Sequence, residues 1–352
     1  MRAAPSFAAM AAKQMEMPKT SAILHSVFRL QFGPLFYTLA IFAVIVATFG
    51  FHVRRDSIFA CPAKLYDGNS YLGYCGATAY GDYDHGAFWF GLEPEARQHA
   101  AAADVLFIGN SRLQFGFSAP ALGRWFSANN LKYYLVGFSH FENSTFLGPL
   151  LRGLHPRARA YVINVDDFFV DNVTDPGNDV MHGLNTRARY ETKRTWQTVH
   201  RIVCTWQPSL CGDAITFYRQ RETGEWQQGW AAARHQVLEP TDPPVDYESV
   251  ARMKPIAERF ISDLGVDRSC VFLTLVPAAK PVSTNRATAS ALAQELGLDL
   301  ISPPLEGLRT FDDGCHLDAD SAERFVRAFL EISGPRMQRC LGLDGRVAAN
   351  PR

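Results

Sequence analysis

Two short stretches of this chain carry side chains suited to acyl transfer. Gly109-Asn110-Ser111-Arg112 follows an apolar run. A serine just past a strand sits where the next helix begins, with its own N–H at the sheet edge and the helix dipole favouring developing negative charge. Near the other end of the chain stands Phe311-Asp312-Asp313-Gly314-Cys315-His316-Leu317-Asp318. Asp313 and His316 are three apart in a glycine-containing turn. At that spacing the carboxylate can hold one imidazole nitrogen, fix the tautomer and leave the other nitrogen as a base. A hydroxyl activated by such a base attacks an ester carbonyl. Each piece alone also has a plain structural explanation: Ser111 as a helix cap, and Asp-x-x-His as a turn before a helix begun by Asp318.

Chemistry of this kind needs both stretches at one edge of a sheet, and the pattern from residue 104 onward supplies that. The run 104–108 is continuously apolar and ends at Gly109, as a buried parallel strand does. A helix is expected over 118–129, with Ser118 as cap and Pro120 in the first turn. A second strand over 132–136 closes at Gly137, a helix follows over 139–154, and a third strand over 159–165 ends in Asp166-Asp167. After a long interruption come a helix at 246–264, a strand at 270–276, a helix at 285–296, a short fifth strand at 299–302 and a final helix at 318–340. Repeated β-α-β units imply a doubly wound, mostly parallel five-stranded α/β sheet of flavodoxin-like type. In such sheets ligands bind beyond the carboxyl ends of the strands, where Ser111 falls.

The conjunction resembles the SGNH (GDSL-type) hydrolase superfamily over roughly residues 104–332. Gly109-Asn110-Ser111 matches the first block, with Asn110 in place of the usual aspartate, and implies Ser111 as nucleophile. Gly137, in Val136-Gly137-Phe138-Ser139, matches the block whose glycine N–H serves the oxyanion hole together with the N–H of Ser111. Asp313 and His316 match the last block. The third block departs from Gly-x-Asn-Asp: the chain reads Ile163-Asn164-Val165-Asp166-Asp167. The simplest register puts Asp166 where the oxyanion-hole amide belongs, and a carboxylate there would repel an oxyanion. Either Asn164 supplies the amide, or the hole rests on backbone N–H groups alone. This departure resembles the membrane-anchored SGNH proteins of polysaccharide O-acetylation. The resemblance implies a Ser111–His316–Asp313 acyl-enzyme mechanism without a cofactor or metal.

One segment, 34–53, lies in the charge-free interval between Arg29 and Arg54 and is long enough to cross a bilayer. Thirty-three residues precede it, so an uncleaved single-pass anchor is expected rather than a signal peptide. Arg2, Lys13, Lys19 and Arg29 precede the span, against Arg54, Arg55 and Lys64 after it, which favours an extracytoplasmic body, periplasmic in a Gram-negative host. Cys61/Cys75 and Cys204/Cys211 could each close a loop in an oxidising compartment, leaving Cys270, Cys315 and Cys340 with an odd thiol. The chain has 352 residues, 47% of them apolar, and 35 basic side chains balance 35 acidic ones. That composition excludes bulk disorder, and the balanced charge gives no field for nucleic acid.

The expected organisation is a tail at 1–33, the anchor at 34–53, a loop-like Tyr/Gly-rich segment at 54–103, the SGNH-like domain at 104–335 and a tail at 336–352. An insertion at 168–244 holds Trp196, Trp206, Trp226 and Trp230, and residues 187–234 carry eight basic side chains against four acidic ones. Aromatic faces and positive charge suit sugar rings and acidic groups, which makes Arg112, Trp196 and Trp226 candidate substrate contacts. The alternative for the insertion is a small subdomain with its own core. Three functions remain open: an O-acyltransferase on an extracytoplasmic polysaccharide, served by a membrane acyl-donor partner; an esterase of the same fold; and a silent protein that binds glycan or a partner.

Overall fold

The computed structural model describes residues 33–62, 66–76, 78–228, 235–238, 243–278 and 284–343. Residues 1–32 of the N-terminal tail, residues 344–352 of the C-terminal tail and Trp230 lie outside them. The chain divides after Phe51 into two units. Helix α1 (Pro34–Asp56) occupies the expected span and continues through Arg54 and Arg55. It is long and apolar enough to cross a membrane.

Past α1 come β1 (Ser70–Cys75), β2 (Gly81–Asp82), α2 (Asp84–Trp89) and α3 (Pro94–Ala102). Next are β3 (Val105–Asn110), α4 (Ser111–Phe117), α5 (Pro120–Ala128), β4 (Tyr133–Phe138), α6 (Ser144–Leu154) and β5 (Ala160–Asn164). The inserted region holds α7 (Asp175–His182), α8 (Thr186–Trp206), β6 (Thr216–Gln220), β7 (Trp226–Gln228) and β8 (His235–Val237). Then follow α9 (Tyr247–Asp263), β9 (Val271–Thr274), α10 (Arg286–Glu295), β10 (Arg309–Phe311) and α11 (Ala319–Cys340).

A four-stranded sheet in the order β4-β3-β5-β9 is parallel throughout. Every residue of β3 is buried, because successive side chains enter different cores. Leu106 and Ile108 pack with Leu147, Leu150, Met253 and Leu292 of the helices on one face. Val105 and Phe107 pack with Phe117, Phe126, Phe325 and Phe329 on the other. β4 and β5 flank β3, so the strand order reverses at β3, the kind of position beyond whose carboxyl end ligands bind in open parallel sheets.

Two expectations are corrected. The fifth strand does not form: Leu300 makes a single parallel bridge to Leu273, and Pro303-Pro304, lacking N–H donors, follow at once. The segment expected to be loop-like instead contributes β1 and β2, in an antiparallel sheet of order β2-β1-β6-β7. Ser70 of β1 pairs with Gln220 of β6, so a partner far along the chain makes the strand, and no local periodicity announces it. The insertion is thus partly the completion of the segment that follows α1. Disulfides Cys61–Cys75 and Cys204–Cys211 form as the spacing suggested, and Cys270–Cys340 makes a third.

Candidate active site

Ser111 opens α4 directly after β3. Asn110 caps that helix by accepting from the Arg112 N–H at 3.0 Å. At the first helical position the Ser111 N–H has no intrahelical acceptor. Gly109 and Gly137 face one another in register on β3 and β4. A Cβ on Gly137 would lie 2.8 Å from Gln114 Cγ and 2.9 Å from the Asn110 carbonyl oxygen. Only glycine lets α4 sit this close to the neighbouring strand.

His316 arrives from the turn between β10 and α11. Phe311 N–H donates to the His316 carbonyl at 2.9 Å, Gly314 N–H to Phe311 at 3.0 Å and Asp318 N–H to Arg309 at 3.0 Å. Asp318 then caps α11 through the Ser321 N–H. This turn brings together residues 205 positions apart: His316 Nε2 lies 2.9 Å from Ser111 Oγ. On the other side, Nδ1 lies 2.6 Å from Asp313 Oδ2. An ionised carboxylate only accepts, so it selects the Nδ1–H tautomer and leaves Nε2 to accept from the serine hydroxyl.

The second oxygen of Asp313 accepts the N–H groups of Cys315 at 2.7 Å and His316 at 3.0 Å. Partial burial disfavours the Asp313 charge, but the hydrogen bond and charge of His316 and those two N–H groups outweigh it, and the pKa falls to about 2. The Phe115 ring lies 4.2 Å from the His316 ring. Asp313 and His316 keep 42% and 21% of their side-chain surface in contact with solvent, so water reaches the array.

A buried polar network supports the serine from below. Asp166 Oδ1 lies 2.6 Å from Arg112 Nη1, Asp166 Oδ2 accepts from Asn110 Nδ2 at 3.1 Å, and Arg112 also donates to the Val276 carbonyl. The charge of Asp166, which in the simplest register would oppose an oxyanion, is taken up by Arg112. Asn164 accepts from the Val276 N–H at 3.0 Å, and its Nδ2 lies 3.5 Å from Asn110 Oδ1. Gly137 lies inside β4 rather than beyond it. Its carbonyl accepts from Gln114 Nε2 at 3.0 Å and from Arg219.

The expected substrate contacts are placed differently. Arg112 is buried in the ion pair just described, so its guanidinium serves the support of Ser111 and not a ligand. Trp226 is also buried: it stacks on Phe217 at 3.8 Å and meets Phe115 edge-on at 6.0 Å. It packs behind the ring that backs His316. Trp196 lies on α8 and is half exposed. Sequence reasoning missed Phe115, although Ser111 and Phe115 stand four apart on one helix and so share a face. It also missed the Arg112–Asp166 pair, which joins the first turn of α4 to the loop after β5 and has no local signal.

A cavity of about 790 Å³ lies past the ends of β4 and β5, lined by Phe141, Asp167, Phe169, Arg252, Arg259 and Thr284 among others. None of the three array residues lines it. Comparisons of the chain with protein-family models, with curated proteins and with solved structures find no match in any of the three.

Proposed function

We propose that this protein is a membrane-anchored serine acyl-transfer enzyme of SGNH type, with Ser111 as nucleophile, His316 as general base and Asp313 as its orienting partner. The observation that carries the reading is the unbroken hydrogen-bonded line Asp313–His316–Ser111 at 2.6 and 2.9 Å. Both separations are within general-base reach. The parallel order β4-β3-β5-β9, with Ser111 at the switch point, supports an SGNH-like sheet.

In the proposed mechanism Ser111 Oγ attacks an ester carbonyl while its proton passes to His316 Nε2. The tetrahedral intermediate collapses to an acyl-Ser111 ester, and His316 gives the proton to the departing alkoxide. An acceptor hydroxyl then attacks the acyl group while its proton passes to His316, and collapse of this second intermediate breaks the ester bond to Ser111 Oγ, to which His316 returns the proton. The oxyanion is assigned to the Ser111 N–H, with Asn164 Nδ2 and the β4 backbone at Gly137 as further donors.

The acceptor we favour is a hydroxyl of an extracytoplasmic polysaccharide. Three disulfides support an oxidising compartment for the body, and α1 supports an anchor. Hydrolysis is the second reading, favoured by the solvent contact of Asp313 and His316. A serine-directed aryl phosphonate should add one mass adduct to the wild type and none to Ser111→Ala. A folded wild type that resists labelling overturns the enzymatic reading. Partition of an acetyl-enzyme between water and added oligosaccharide separates the other two: hydrolysis alone, with every acceptor tried, selects the esterase.

A further inference from the structure

Helix α8 turns an apolar side outward. Its buried residues include Tyr190, Gln197, His200 and Cys204. On its open side Trp196 is 51%, Ile202 56% and Trp206 86% exposed. At 3.6 residues per turn, Ala188, Thr192, Thr195, Val199, Ile202 and Trp206 follow one another in steps of four and three and form a single uncharged strip. Trp196 borders the strip on one side and Glu191, ion-paired with Arg187, on the other; Arg189, Lys193, Arg194 and Arg201 lie farther round the helix. Leu210 and Ile215, just past the helix, are also more than half exposed. A helix packed on a water-soluble body normally turns such side chains inward, and a contiguous exposed apolar surface marks a contact.

The position of this surface identifies the contact. The residues that leave α1 are bonded to the end of α8 and the loop after it. The Cys61 carbonyl lies 2.8 Å from His200 Nε2. Gly212 N–H donates to the Phe59 carbonyl at 2.8 Å, and Ala214 N–H to Ala60 at 3.0 Å. A Cβ on Gly212 would sit 2.5 Å from the Ala60 oxygen, so this approach admits glycine alone. Phe59 and Ala60 come three and four residues after Asp56, the last residue of α1. At most about 15 Å of extended chain can separate these contacts from the end of the span.

We propose that the outward face of α8, continued by Leu210 and Ile215, seats in the interfacial zone of the bilayer that α1 spans. The indoles of Trp196 and Trp206 sit at headgroup level and the flanking arginines face anionic lipid phosphates. Trp196, a candidate sugar contact by sequence, becomes a lipid contact. The inference rests on α1 crossing the membrane, and the test separates the two.

Full-length protein is reconstituted in phosphatidylcholine–phosphatidylglycerol vesicles with either ordinary or brominated acyl chains. α1 contains no tryptophan, so quenching by brominated lipid reports on the body. The wild type should lose about a third of its emission, the share of two among six tryptophans. Trp196→Phe/Trp206→Phe should lose this component while keeping its far-ultraviolet circular dichroism. Emission that ignores brominated lipid overturns the proposal. Quenching by aqueous iodide then means that the strip faces water, and shielding from both agents means that a protein surface or a second copy covers it. Alkaline carbonate extraction of the same vesicles tests α1 separately. Retention with no bromolipid effect overturns only the seat, whereas release overturns the span and the seat together.

Discussion

Among the histidines that touch carboxylates, His316 and His85 differ most, and their surroundings give them opposite behaviour. His316 has Asp313 on one nitrogen and the Ser111 hydroxyl on the other. His85 has a carboxylate on each: Nδ1 donates to Asp82 at 3.0 Å and Nε2 to Glu142 at 3.0 Å. Both its nitrogens must carry protons, which makes the ring an imidazolium. His85 is fully buried, and burial opposes that charge. The two carboxylates outweigh it and raise the pKa to about 10. Asp82 correspondingly titrates low: burial works against its ionisation, but the charge and hydrogen bond of His85 prevail. A base needs one free lone pair, and His85 has none. It is a clamp. Through Glu142, which also accepts from Thr174 at 2.6 Å, it fastens the loop after β4 to the segment that follows α1. In that loop His140 and Phe141 take the left-handed region at φ 61° and 56°, a conformation that surrounding structure must hold in place.

The largest expected effect comes from removing the hydroxyl that distinguishes His316. Ser111→Ala should lower ester turnover about a million-fold with little change in stability, measured by steady-state kinetics and urea unfolding. Asp313→Asn keeps the shape but frees the tautomer, and should cost about ten-thousandfold in kcat. Activity within tenfold of wild type in either variant would end the contrast drawn here. His85→Gln should do the reverse. It leaves Asp82 and Glu142 buried without their cation, a loss of about 3–5 kcal/mol in unfolding free energy, while turnover per folded molecule stays within a few-fold. Should turnover collapse while stability holds, His85 would belong to the chemistry.

Titration gives the smaller effects. The folded pKa of His85 lies above its ordinary value of 6.5, so its contribution is complete below that value and is lost as pH rises through about 10. Urea midpoints of the wild type should fall across that window more steeply than those of His85→Gln. Asp313 behaves oppositely. Its contribution is complete above 3.8 and is lost as pH falls through about 2. The effect is modest because the carboxylate is partly solvated. Parallel acid unfolding curves for wild type and Asp313→Asn would show that it contributes nothing.

Much of the site was legible because its parts are local. Asp313 and His316 are three apart in one turn, so their contact needs no distant partner. Ser111 follows an apolar run short and continuous enough to be a buried strand. The two halves were linked only through the family resemblance, since nothing in the spacing of residues 111 and 316 says that they meet. Residues that pair across the fold were misread. Arg112, on α4, looked like a ligand-binding cation because Asp166 lies in the loop after β5, far along the chain. Trp226 looked like a sugar platform because Phe217 and Phe115 come from different elements. The apolar residues at 299–302 suggest a strand, but Pro303 and Pro304 leave no donors to extend the bridge at Leu300.

By itself the sequence determined the apolar span, the buried strands of the parallel sheet, the turn that sets Asp313 against His316, and two of the three disulfides. These depend on neighbours within a few residues, where chain geometry leaves few choices. Tertiary structure alone decided that Ser111 meets His316, that Asp166 is neutralised by Arg112, that β1 takes its partner from the insertion, and that α8 shows its tryptophans to the outside. Each of these depends on which surfaces the folded chain brings within a few ångströms, and burial and charge act only once that distance is set.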